Sequence, residues 1–247
     1  MTTLLTVLLG CYLLGGLLPL CTSRPHLQNI LAHSAAALAG GAGIALGLLG
    51  LVASQPLTIS VPSNIPYLTF ALRLDPLAAF FVLTISLIGM AASIYAYGYV
   101  REFTGRVSIG LLGSLLNGFL LSMTLVVLAD NGFFFLIVWE VMSLLSYVLV
   151  VTEHERPGVR EAGLFYLIMT HAGTAFIILT FLLFSQETGS FSFEAFRHPD
   201  QRLPDGLRSI AFFTALIGFG AKAGIVPLHV WLPYAHPAAP SHISALM

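Results

Sequence analysis

Apolar residues run along this chain in long, nearly unbroken blocks, and polar residues gather in the short stretches between them. A helix needs about 20 predominantly apolar residues to cross the hydrocarbon core of a bilayer. Seven blocks meet that test, at 3–22, 29–53, 76–99, 107–128, 132–151, 162–185 and 208–232, and an eighth begins after Pro240. The pattern predicts an all-α, polytopic transmembrane helix bundle with seven complete helices and the start of an eighth.

The stretches between blocks differ in kind. Within 54–75 two runs of alternating apolar residues, 57–61 and 68–73, flank "PSNIPY", which predicts a small hairpin lying on the membrane surface. "DNG" at 130–132 is a tight turn, so the fourth and fifth helices are expected to be antiparallel neighbours, with Asp130 as a turn former. Residues 186–207 interleave charges with "FSFEAF" and predict a short interfacial helix. Gly40, Gly41, Gly43, Gly47 and Gly50 crowd the second block, where small residues at four-residue spacing let membrane helices approach closely.

Composition excludes a soluble domain. Hydrophobic residues make up 57% and charged residues 9% of the 247, and the mean hydropathy is +0.91, whereas an average soluble domain is roughly 25% charged. The net charge of −1 and the lack of a basic cluster give nucleic acid no binding surface. Cys11 and Cys21 both fall in the first block, and no Cys-x-x-Cys or Cys/His spacing occurs, so no cofactor or metal site is expected. The first block lacks a preceding Lys or Arg and continues to Leu20; it reads as a membrane helix and not as a signal peptide, although "LLGC" resembles a lipoprotein cleavage site. Arg24, Arg101, Arg106, Arg156 and Arg160 lie on one side, and Arg73, Arg197, Arg202 and Arg208 on the other. The first set occupies short loops, which places the N-terminus outside and the 152–161 loop in the cytoplasm.

Of ten basic and eleven acidic side chains, only Glu140 and Lys222 fall well inside a block. Glu140 lies roughly 12 Å and Lys222 roughly 21 Å along their helices, near mid-membrane for both. A charge there costs at least about 2.5–3.5 kcal/mol and usually has a partner or a watery cavity. With one acid and one base buried, mutual pairing is the economical expectation. A structural pair that pins two helices is the alternative, but buried pairs stabilise weakly. Low dielectric favours a neutral lysine while a nearby carboxylate favours the charged form, and the opposition suits a proton carrier.

His171, between Thr170 and Thr174, is the next candidate, because histidine titrates closest to neutral pH. A histidine hydrogen-bonded to a neighbouring helix is its structural alternative. His229, His236 and His242 follow the lysine and extend a candidate relay toward the cytoplasmic side, each with a cap or loop role as its alternative. Pro227 and Pro233 are expected to break the seventh helix. Broken helices expose backbone only beside protein or a water-filled cavity, and they mark ion sites in transporters.

"FLIVWEVMSLLSYVLV" (135–150), "FYLIMTHAGTAF" (165–176) and "GAKAGIVPLHVWLPYAHPAAPSHISALM" (220–247) together resemble the antiporter-like, proton-translocating membrane subunits. That family is shared by respiratory complex I, multisubunit cation/proton antiporters and membrane-bound nickel–iron hydrogenases. The wording is most similar to its hydrogenase-4 component B and formate hydrogenlyase subunit 3 branch. The resemblance implies that Glu140 is the family's essential glutamate of helix five. It makes Lys222 the lysine of the broken helix seven, whose protonation the glutamate tunes. His229 and His236 match polar positions after the break.

Such subunits have about fourteen helices in two inverted repeats. Residues 1–106 then correspond to helices 1–3 with the surface hairpin, and 107–247 to a first, incomplete repeat of helices 4–8. A truncated or split subunit is expected in place of a self-sufficient pump. The implied partners are other membrane subunits, a peripheral redox arm of hydrogenase or dehydrogenase subunits, protons or sodium ions, and the lipid of a bacterial cytoplasmic (inner) membrane. The chain itself would carry no catalytic centre. A sodium/proton antiporter subunit and a structural membrane anchor are the competing readings.

Overall fold

Each apolar block forms a helix in the computed structural model, which describes residues 1–197 and 204–247. The long helices are α1 (Thr2–Leu17), α2 (Pro25–Val52), α3 (Pro76–Tyr99), α4 (Ile109–Leu128), α5 (Gly132–Val150), α6 (Val159–Thr188) and α8 (Asp205–Ala223). The short ones are α7 (Phe193–Arg197), α9 (Leu232–Ala238) and α10 (Ser241–Ser244). Among the described residues, seven helical spans are long and apolar enough to cross a membrane, the last running from Asp205 through the break to Ala238. Large apolar side chains face outward along them, such as Leu38, Val52, Leu77 and Phe212. Such a surface suits lipid. The chain is an integral, multi-pass membrane protein.

Local chemistry sets the helix ends. Asp75 caps α3 by accepting from the Ala78 N–H at 2.9 Å, and Pro76 occupies the first turn, where its missing N–H is no loss. Asn131 caps α5 by accepting from the Phe134 N–H at 2.9 Å, so α4 and α5 meet across the tight turn as antiparallel neighbours. The sixth helix is longer than its apolar pattern predicts. Gly158 and Gly189, both at positive φ, bracket it, and its polar ends continue the same hydrogen-bonded spiral.

The predicted hairpin is present: β1 (Leu57–Pro62) pairs antiparallel with β2 (Thr69–Leu74), from Leu57 opposite Leu74 to Pro62 opposite Thr69. Leu72 also bridges to Ala129, and Asn131 to Ser192, which ties hairpin, α4–α5 turn and the approach to α7 into one cap on this side of the bundle. α7 is the described part of the expected interfacial helix; residues 198–203 of that stretch lie outside the described residues.

Glycine lets two helix pairs approach closely. A Cβ at Gly40 would stand 2.6 Å from Met90 Cβ and one at Gly47 2.7 Å from Leu83 Cβ, so α2 lies directly on α3. A Cβ at Gly218 of α8 would stand 2.6 Å from Ile177 Cγ1 and 2.9 Å from the Gly173 carbonyl of α6. The second contact holds α8, and with it Lys222 one turn later, against α6.

The seventh membrane span, α8 to α9, is broken as expected, at one of the two prolines named for it and with a glycine in addition. α8 ends at Gly224, which takes φ +72°, and residues 224–227 lead to a 3₁₀ turn at Leu228–Trp231 and then to α9. Pro227 lies in the break. Pro233 does not; it sits in the first turn of α9, where a helix tolerates proline, so it opens the second half. The break frees α8 carbonyls at membrane depth, and the Trp231 indole N–H donates to the Ala221 carbonyl at 2.8 Å. Ile225 N–H donates to the Gly220 carbonyl at 3.0 Å. The interruption is therefore internally hydrogen-bonded, as the bilayer demands.

Candidate functional site

Three helices bring the site together. α5 supplies Trp139 and Glu140, α6 supplies Tyr166 and His171, and α8 ends just past Lys222. Lys222 occupies the last turn of α8, where the helix dipole favours a cation.

The expected contact between Glu140 and Lys222 is not made: among the described residues no ion pair within 4.0 Å joins them. Successive residues of a helix point about 100° apart. Trp139 faces the lysine, so Glu140 is turned away, and each charged group takes its partner from α6. Glu140 Oε2 lies 3.2 Å from His171 Nε2. Lys222 Nζ donates to the Tyr166 hydroxyl at 2.9 Å.

Donor and acceptor roles at the acidic pair constrain its protons. His171 Nδ1 lies 3.0 Å from the Leu167 carbonyl, which only accepts, so Nδ1 carries a hydrogen. The other ring nitrogen, Nε2, approaches the Glu140 carboxyl as an ion-pair contact, charged on the histidine side only when the imidazole is protonated. The two side chains are part-exposed on the surface of the bundle, at 30% for Glu140 and 45% for His171.

The basic arm is directional as well. Ser146 Oγ donates to the Ser143 carbonyl at 2.9 Å, so toward Tyr166, 2.6 Å away, it accepts. The Tyr166 hydroxyl donates to Ser146 and accepts from Lys222. Two ring faces flank the ammonium: Nζ is 5.3 Å from the Tyr166 centroid and 5.9 Å from the Trp139 centroid. Trp139 is itself oriented by its indole N–H, which donates to Thr174 Oγ1 at 3.2 Å. The cation is held by π-faces and one hydroxyl.

The three later histidines are placed separately. His236 Nδ1 is 3.0 Å from Ser244 Oγ, and its ring stacks on Trp231. His229 keeps a buried Nδ1 with no partner. His242 is buried at 1% exposure, with the Tyr99 ring edge-on to it. Among the described residues no direct hydrogen bond links these histidines to one another or to Lys222. Sequence reasoning missed Tyr166 and Ser146. The usable signal was a tyrosine in an apolar block, since a hydroxyl at that depth needs a partner.

On the hairpin side a second group of charges does structural work. Arg73 pairs with Glu194 at 3.3 Å and approaches Asp75 at 3.6 Å, while Arg197 lies 3.2 Å from Glu194 and 3.6 Å from Asp130. Burial pushes the Asp130 carboxyl above its ordinary range, against the pull of Arg197 and Arg73. Its backbone N–H and C=O bond to Ala71 and Phe193, which supports the turn role.

Residues 129–247 match the family described as NADH:quinone oxidoreductase/Mrp antiporter, TM. Hydrogenase-4 component B of Escherichia coli (strain K12) is 42% identical over 211 residues, which cover 85% of this chain and 31% of that protein. NADH-quinone oxidoreductase subunit L of Mycobacterium tuberculosis (strain CDC 1551 / Oshkosh) is 30% identical over 187 residues, covering 76% of this chain and 29% of that protein. The chain thus spans about a third of the length of these curated relatives. In fold it is similar to a chain of the Mrp complex from Dietzia sp. DQ12-45-1b, with a TM-score of 0.79 and 23% identity over 99% of this chain and 26% of that one.

Proposed function

We propose that this chain, whose residues 129–247 match the NADH:quinone oxidoreductase/Mrp antiporter membrane family, carries protons in a hydrogenase-type or complex I-like assembly of a bacterial inner membrane. Residues 107–247 act as its antiporter-like repeat. Redox chemistry belongs to a peripheral arm in partner subunits, and the bundle receives its drive by conformational or electrostatic coupling.

The observation that carries this reading is the separate holding of two mid-membrane ionisable groups by groups that exchange protons. Glu140 lies against His171, and Lys222 rests on Tyr166 beside the break in the seventh membrane span. A proton arriving at the Glu140–His171 pair changes the local charge, and that change acts on the charge of Lys222. Discharge follows through the opened backbone at 224–227 toward His229 and His236.

The test uses the complete assembly in liposomes, with proton uptake read by a pH-sensitive dye during turnover. Lys222→Ala and Glu140→Gln are expected to slow uptake by at least about tenfold, since positioned proton carriers contribute that much or more. If both variants assemble and move protons at the wild-type rate, the chain is an anchor and the reading is lost. The hydrogenase branch is supported by the higher identity to hydrogenase-4 component B. A large nickel–iron subunit co-purifying with the chain supports that branch, and quinone-linked dehydrogenase subunits support the other. Sodium-dependent transport without redox turnover supports the antiporter reading, which the likeness of fold to the Mrp complex keeps in view.

A further inference from the structure

The seam between α2 and α3 carries two cavities, one beneath the other, at the end of the bundle away from the hairpin. The outer one, about 520 Å³, is lined by His26 and Asn29 of α2, by Arg101 and Thr104 just beyond α3, and by Ile109 at the start of α4. The inner one, about 380 Å³, is lined by Ile30, His33 and Ala37 of α2 and by Ser93, Ile94 and Tyr97 of α3.

The two cavities share one stripe of each helix. His26, Asn29, Ile30, His33 and Ala37 recur at helical spacing and so lie on one face of α2. Asn29 ties the levels together, because its amide donates to the Tyr97 carbonyl at 2.9 Å. The Arg101 guanidinium lies over the Tyr97 ring, 4.8 Å from its centroid. From His26 to Ala37 the stripe runs roughly 16 Å along the helix. That length fits inside one leaflet, about 20 Å deep with its headgroups.

The outer end is cationic. Arg24, Arg101 and Arg106 lie there with His26, and Glu102 is the carboxylate beside them. Among the described residues no ion pair joins Arg101 to Glu102, its neighbour in the 3₁₀ turn Val100–Phe103. α4 closes the outer cavity with Ile109 and brings no titratable side chain. α2 also begins here, with Pro25 in its first turn and no side-chain cap, so the His26 and Leu27 N–H groups are left to favour an anion.

The inner cavity opens outward along the exposed Ile94 side chain, at a depth where the bundle meets hydrocarbon. Two polar side chains on the stripe lack partners. His33 is 2% exposed, and neither ring nitrogen has a hydrogen-bond partner among the described residues. An imidazole always carries at least one N–H, and leaving it unbonded in the interior is costly. Asn29, 3% exposed, keeps its Oδ1 unpartnered. An anion clamp at the surface, a buried N–H below it and an apolar groove beyond are demands that one amphiphile meets together.

We propose that the α2–α3 seam binds one anionic phospholipid. Its phosphate lies between Arg101 and the first turn of α2. A headgroup hydroxyl, as in phosphatidylglycerol, donates to Asn29 Oδ1, and the His33 N–H donates to an ester carbonyl. One acyl chain follows Ala37 and Ile94. A zwitterionic headgroup sets its own cation against Arg101 and is disfavoured. The site stands apart from Glu140 and Lys222 and does not depend on proton carriage.

The test places the complete assembly in phosphatidylcholine vesicles doped with a phosphatidylglycerol that bears a diazirine in its acyl chain. After illumination, adducts are mapped by peptide mass spectrometry. Labelling is expected within residues 30–37 and 93–97, suppressed by excess plain phosphatidylglycerol and not by phosphatidylcholine. Arg101→Gln changes an exposed side chain and leaves assembly intact. It should lower that labelling about tenfold, the loss expected of one charge-assisted hydrogen bond, and leave labelling elsewhere on the bundle unchanged. Ala37→Trp fills the inner cavity and should abolish it; if that variant fails to assemble, Arg101→Gln carries the test. Equal labelling by a diazirine phosphatidylcholine reveals only the lipid shell around any bundle and overturns the proposal. So does a wild-type seam that takes no label, as when a partner helix covers it. Full competition by glycerol 3-phosphate marks a site for soluble anions and overturns it too.

Discussion

At the scale of single residues, Tyr166 connects the lysine to the rest of the bundle. Its hydroxyl accepts from Lys222 and donates to Ser146. Tyr166→Phe preserves the ring faces and removes only that oxygen, so the fold is expected to hold. Hydrogen bonds to charged groups contribute about 1.5–3 kcal/mol. Losing one from the ammonium form should depress proton uptake by roughly tenfold, as measured in the liposome assay; an unchanged rate would detach Tyr166 from the mechanism. Glu140 and Lys222 were legible in the sequence because charge is rare in apolar blocks. Their partners were not. Pairing depends on which way each side chain points around its helix, and one residue of difference, Trp139 against Glu140, decides what faces the lysine.

Among the elements, the contact of α6 with α8 bears most directly on the proposed function. Gly218 lets α8 touch the Gly173 carbonyl and Ile177, and Lys222 follows one turn later on the same face. A side chain at 218 forces the helices apart, so Gly218→Leu is expected to destabilise the pair by about 1–3 kcal/mol, the usual cost of overpacking. It should also cut uptake as severely as loss of the lysine, while Gly206→Ala, in open space near the start of α8, should do neither. Thermal unfolding in detergent alongside the uptake assay checks both. Helix positions were readable from apolar length, but the exact break in helix seven was not. Of the two prolines that drew attention, Pro227 lies in the turn and Pro233 does not; Gly224 starts the turn, and the Trp231 indole closes a freed carbonyl.

For the molecule as a whole, the hairpin, the α4–α5 turn and α7 form a charged cap over an apolar bundle. Alternation in the sequence was enough to place the hairpin. The salt bridges that attach it were hidden, since Arg73 and Glu194 are 121 residues apart. Asp130 gives the cap a pH dependence. Burial raises its folded value, so its protonated form fits the cap better. The associated stability is full below the ordinary carboxylate value of about 4 and is lost as pH rises through the raised one. Asp130→Asn should therefore be more stable than wild type at neutral pH, with the difference vanishing in acid; melting curves that differ equally at every pH would refute this.

The thirty-residue helix α6 carries both Tyr166 and His171. Five helical steps separate the two side chains by about 140°, so they address different neighbours from one rod. One rigid element therefore sets both contacts at once: a substitution that turned α6 about its axis would alter the approach of Tyr166 to Lys222 and of His171 to Glu140 together, with no contact between the two charges.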